Sequence, residues 1–147
     1  MAEAEVDPFA EKPQPREVWE PAEEENFDEV RESVEGKMDV NIPNPITQNT
    51  PLLIAIKNRN VEMAKYLIIR NSDVKMQNAV GDTALHWAAL RGDEELVKMI
   101  INKMAEINAV GECGNTPLHL ACSRNYVQIA KILILVREVF KFLLRSL

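Results

Sequence analysis

The chain has 147 residues, of which 27% are charged, and carries a net charge of −6 at neutral pH. That length suits one modest domain with a tail. The acidic balance argues against a nucleic-acid binder as a whole.

Charge is unevenly placed along the chain. Residues 1–40 carry 14 acidic and 4 basic side chains, net −10, while residues 41–147 carry 9 acidic and 13 basic, net +4. The first 26 residues hold Pro8, Pro13, Pro15 and Pro21 and little periodicity. Such a composition predicts a disordered, solvating tail over 1–26. Val18 and Trp19 interrupt it, as a short docking motif or by chance. Phe27 to Val34 then reads as a helix that Gly36 closes, and Asp39-Val40-Asn41 resembles the later Asp73-Val74. Pro43 and Pro45 break the chain after it.

From there one sentence occurs three times at a spacing of 33 residues. Its copies begin Thr50-Pro51-Leu52-Leu53, Thr83-Ala84-Leu85-His86 and Thr116-Pro117-Leu118-His119. Equivalent positions stay apolar: Ala55, Ala88 and Ala121; Ile56, Ala89 and Cys122; Met63, Leu96 and Ile129; Leu67, Ile100 and Leu133. Lys65, Lys98 and Lys131 are identical and belong on a solvated outer face. A fixed period of this length means stacked supersecondary units instead of one globular core. Within a unit the apolar spacing predicts two short helices, roughly 84–91 and 94–103 in the middle copy. Pro51 and Pro117 suit a first helical turn, and the preceding threonines can cap it. Gly92 stands where a left-handed residue ends the first helix. Asn125 and Arg59 take that place in the flanking units, Arg59 with more strain.

These residues resemble the ankyrin repeat family. The best copy is Gly81-Asp82-Thr83-Ala84-Leu85-His86-Trp87-Ala88-Ala89-Leu90-Arg91-Gly92-Asp93, and the third reads Gly114-Asn115-Thr116-Pro117-Leu118-His119-Leu120-Ala121-Cys122. The resemblance covers about residues 49–134, with units at 49–81, 82–114 and a partial 115–134. Leu53 departs from the family histidine, and Asn71 and Met104 from a family glycine. The resemblance implies an all-α solenoid of stacked helix pairs linked by β-hairpin fingers. Residues 27–48 then form a degenerate capping half-repeat.

The C-terminal residues 135–147 continue Leu135 to Leu147 without Gly or Pro. One long helix over about 126–146, folding partly over the last unit, is the simplest expectation. A truncated fragment or short isoform, and a basic amphipathic helix touching a membrane surface, are the other two. The uncharged run Ile132–Val136 is too short to span a bilayer. If its apolar side stays uncovered, self-association or a missing partner follows.

No catalytic constellation is legible. The only histidines, His86 and His119, belong to the repeat motif, where the resemblance gives the Thr–His pair a structural hydrogen-bonding role. Cys113, Cys122 and His119 lack zinc-site spacing, and no phosphate-binding glycine loop is present. No cofactor or metal is expected. Cys122 replaces an alanine of the packed face and is expected in the core, Cys113 on a finger. With no secretory signal and no Asn-x-Ser/Thr site, cytoplasm or nucleus is expected. The resemblance implies binding of another protein along the finger tips and first helices, which form a concave face. The positions concerned are Ala79, Val80, Asp82, Glu112, Cys113 and Asn115 on the fingers. Lys57, Asn58, Leu90, Arg91, Ser123 and Arg124 end the first helices. The cations Lys57, Arg91 and Arg124 make either ordinary solvated charge or a stripe for an acidic segment, which the acidic tail would screen.

Overall fold

The computed structural model describes residues 16–147. Residues 1–15, the larger part of the expected tail, lie outside that range. Eight α-helices follow in chain order: α1 Trp19–Glu23, α2 Phe27–Glu35, α3 Pro51–Lys57, α4 Val61–Ile69, α5 Ala84–Arg91, α6 Glu94–Asn102, α7 Pro117–Ser123 and α8 Val127–Arg145. They pair as four units, and the first helices stack in the line α1, α3, α5, α7 while α4, α6 and α8 stack behind them. This is an all-α ankyrin-type solenoid. Among the described residues there is no strand; each finger closes through a backbone bond, Asn78 N–H to the Asp82 carbonyl or Gly111 N–H to the Asn115 carbonyl.

Local chemistry explains the helix ends. Pro51 and Pro117 occupy first turns, and the Thr50 hydroxyl accepts the Leu53 N–H at 3.3 Å. Asn26, Asn60 and Asp93 cap α2, α4 and α6 through side-chain oxygens. Each is a short polar residue able to satisfy an orphan helix donor. The turns between paired helices need a left-handed residue, and Arg59, Gly92 and Asn125 adopt φ of 62°, 78° and 58°. At Gly92 a β-carbon would also stand 2.6 Å from the Tyr126 ring, so a side chain there would have to displace that ring.

The N-terminal boundary differs from the sequence expectation. Residues 16–26 are not a featureless tail: Val18, Pro21 and Ala22 are buried against the first full unit. With α1 in place, the expected half-repeat is a complete, shortened helix pair. Arg16 fastens it, contacting Glu20 at 3.3 Å, Glu24 at 2.5 Å and Glu29 at 3.3 Å. These carboxylates, Glu24 foremost, hold its guanidinium protonated even more firmly than usual. Phe27 meets Tyr66 edge-on at 5.5 Å and carries α2 onto α4. Further along the back, Lys65 pairs with Glu95 at 2.8 Å across two units, which raises the Lys65 pKa above its ordinary value.

The C-terminal helix forms as expected but packs over little of its length. Only Ile129 and Leu133 on it are buried, whereas Leu135, Phe142 and Leu144 are 65%, 71% and 69% exposed. Cys122 is exposed, contrary to its expected core position. Its counterpart Ala89 is covered by the next unit, and among the described residues nothing plays that part for Cys122.

The same inequality separates two leucines of one motif, since Leu85 is fully buried and Leu118 only half-buried. Leu85→Ala is expected to cost roughly 2–5 kcal/mol and Leu118→Ala clearly less. Urea denaturation of the two variants gives the comparison. Arg59→Gly removes left-handed strain of roughly 1–2 kcal/mol, partly offset by glycine's unfolded-state entropy. A net gain is expected, read as a higher urea midpoint at unchanged slope.

Candidate functional site

The face built from the fingers and the C-terminal ends of α3, α5 and α7 is the site to weigh. Its scaffold is the set of bonds joining one finger to the next. Position 49, 82 or 115 sits at the base of each finger, one period apart. Asn49 Oδ1 accepts from Asn78 Nδ2 at 3.0 Å, and Asp82 Oδ1 accepts the Glu112 N–H at 3.0 Å. Both acceptors are buried. Asp82 therefore offers no surface to a partner; its carboxylate is consumed inside the stack.

His86 completes that scaffold. The Thr83 N–H donates to Nδ1 at 3.1 Å, so the ring proton is assigned to Nε2, which lies 3.0 Å from the Asn115 carbonyl. The imidazole is fully buried and joins one unit to the next finger. Gly111 is needed beside it, because a β-carbon there would overlap Asp82 Oδ1 and lie 2.9 Å from His86 Nε2. His119 makes the same local pair with Thr116, at 3.1 Å, but is exposed.

The remaining expected residues divide by position. Ala79, Val80, Glu112 and Cys113 are exposed at the finger tips, and Asn115 is half-buried. Lys57, Asn58, Ser123 and Arg124 are exposed at helix ends, with Leu90 and Arg91 half-buried. Lys57 and Arg91 come together around Trp87. The Trp87 ring has Lys57 Nζ 5.7 Å and Arg91 Cζ 5.6 Å from its centre. Trp87 lies one helical turn before Arg91, a spacing that puts both on one face of α5 and was legible in the sequence. Arg91 also donates through a terminal nitrogen to the Lys57 carbonyl at 2.6 Å, capping the exposed end of α3. Its charge is thus partly tied, whereas Arg124 enters no ion pair among the described residues.

The arrangement offers an apolar–cationic surface. Among the described residues no group of three or more His, Cys, Asp or Glu could hold a metal ion. No helix among them is long and apolar enough to cross a membrane.

A family model described as ankyrin repeats (three copies) matches residues 22–111 and 52–143. The chain belongs to the ankyrin repeat family. No curated protein matches it. Ankyrin repeats are in general protein–protein interaction modules, and the family is typically non-catalytic.

Removing a buried donor leaves its partner unsatisfied, which costs about 1–3 kcal/mol. His86→Ala is accordingly expected to destabilise the chain by at least that amount, and His119→Ala hardly at all. Thermal unfolding by circular dichroism separates the two.

Proposed function

We infer that the chain is an adaptor, scaffold or inhibitor that binds another protein on its concave face, through a segment carrying acidic and apolar side chains. The observation that carries this reading is Trp87, half-buried between Lys57 and Arg91. Tryptophan and arginine are among the side chains that most often dominate binding energy at interfaces. An incoming carboxylate beside the ring would meet two cations, and an apolar neighbour would meet the indole face. Arg124 and Lys57 extend the positive character along the helix ends, and the exposed finger tips at Val80 and Cys113 supply the rim. The two thiols are free, which fits work in the reducing cytoplasm or nucleus.

Arg91 is a poor residue for the test, because its bond to the Lys57 carbonyl also supports the fold. Trp87→Ala and the pair Lys57→Glu with Arg124→Glu are better. Fluorescence anisotropy against a pool of labelled acidic peptides bearing one aromatic residue is expected to show binding by the parent. Each variant should weaken it by roughly tenfold or more, the scale of a hot-spot truncation. Melting temperatures of the charge variants should stay unchanged. Equal affinity for acidic and basic pools, or full binding by both variants, refutes the reading.

A further inference from the structure

The last unit presents a face that its predecessor has covered. Leu85, His86 and Ala89 of the second full unit are buried beneath α7 and its finger, while Leu118, His119 and Cys122 one period later are half-buried or exposed. On α8, Ile134 is 43% exposed, where its counterpart Ile101 is half-buried. A groove of about 310 Å³ lined by Cys122, Tyr126, Val127, Ala130, Lys131 and Ile134 runs along this open end. The polar groups that would hold a neighbour are preformed there. His119 is already oriented by Thr116, and its Nε2 has no partner of the kind Asn115 gives His86. Among the described residues Asn115 Oδ1 likewise accepts nothing, though Asn49 and Asp82 at its equivalent positions each accept from the following finger.

Charge says what fits. The first helix pair with its lead-in, residues 16–35, carries nine carboxylates against two arginines, net −7. The last unit, residues 116–147, carries five cations against Glu138, net +4. The residues between, 36–115, hold nine of each sign and are neutral. The solenoid is therefore polarised along its stacking axis, acidic at one end and basic at the other. Association of like ends would place like charges together, whereas opposite ends attract. A cationic, apolar end face with unused stacking bonds matches the acidic helix pair at the other end of the same molecule.

We propose that copies of this chain associate head to tail, with α1 and α2 of one copy seated on the open face of α7 and α8 of the next. The contact is heterologous and prolongs the stack of units, so it leaves a free acidic end and a free basic end after every addition. Lys131 points into the open groove, and Arg145, fourteen residues on, lies about 40° from it around α8. These are the cations placed to meet α2. The concave face stays free in such a chain of copies, so each assembly would present several identical binding surfaces in one row.

Sedimentation velocity of the full chain over a concentration series tests this. At about 20 mM salt the weight-average mass is expected to climb past the dimer without a plateau, and to fall to the monomer near 0.5 M salt, where exposed charges are screened. Lys131→Glu with Arg145→Glu takes the last unit from +4 to neutral, and Asp28→Lys with Glu32→Lys lowers the first helix pair from −7 to −3. Each double variant alone should associate roughly tenfold more weakly or worse, and mixing the two should restore assembly, because the opposed charges match again. Circular dichroism checks that both variants keep the parent's helix content. A monomer at every concentration overturns the proposal. So does a closed dimer indifferent to salt, which would mean two α8 helices packing together, or a mixture no better than its parts. A chain that stays monomeric yet pellets with anionic phospholipid vesicles also overturns it, assigning the open end to a membrane surface.

Discussion

Close approach of neighbouring first helices is the constraint on which the structure depends. At one position in each unit only a methyl side chain stands between two helices: Ala22, Ala55, Ala88 and Ala121, all buried and each 33 residues from the next. A larger residue there would force the helices apart, since interiors at crystal-like packing density have no slack. Holding that distance fixes the spacing of the fingers, because each finger leads directly into a first helix. It then sets the spacing of the bonds between fingers, from Asn78 to Asn49 and from Glu112 to Asp82. The small apolar column and the polar ladder beside it are one device seen from two sides.

Because every unit depends on its neighbours, identical motifs acquire different roles. Thr83–His86 and Thr116–His119 have the same internal geometry, yet one imidazole is sealed and the other faces solvent. At the N-terminal end of the described residues the first helix pair is α1 and α2, held by the Arg16 cluster and strongly acidic. At the other end an interior-type surface is exposed, and α8 runs on past it with aromatic and leucine side chains uncovered. The asymmetry is not a matter of a lost motif, since the third copy keeps Thr116-Pro117-Leu118-His119 intact. It follows from the absence, among the described residues, of anything placed one step further along.

Much of this was legible in the sequence. A strict 33-residue period gave the helix pairs nearly to the residue, and α8 departs from its expected range by one residue at each end. Three readings failed for physical reasons. Composition suggested a disordered start, but Ala22 lies one period before Ala55, and Val18 and Pro21 pack with it. The acidic surroundings masked a buried stripe only three residues deep. Cys122 was placed by its equivalence to Ala89, yet burial belongs to the neighbouring unit and not to the residue. Asp82 was treated as a variable finger position, although its equivalence to Asn49 and Asn115 marks a repeated acceptor.

Arg91 shows how binding and folding are joined in so small an array. Its guanidinium lies against Trp87 and also bonds the Lys57 carbonyl, an orphan acceptor at the end of the preceding unit's first helix. The same side chain thus shapes the surface and links two units. An extended array holds each unit only through its neighbours, so a link of this kind transmits local change along the stacking axis. A partner that draws the Arg91 charge toward itself would weaken the cap on α3. One that packs on Trp87 without disturbing Arg91 would tighten both. A carboxylate held nearer Lys57 than Arg91 would leave that cap undisturbed.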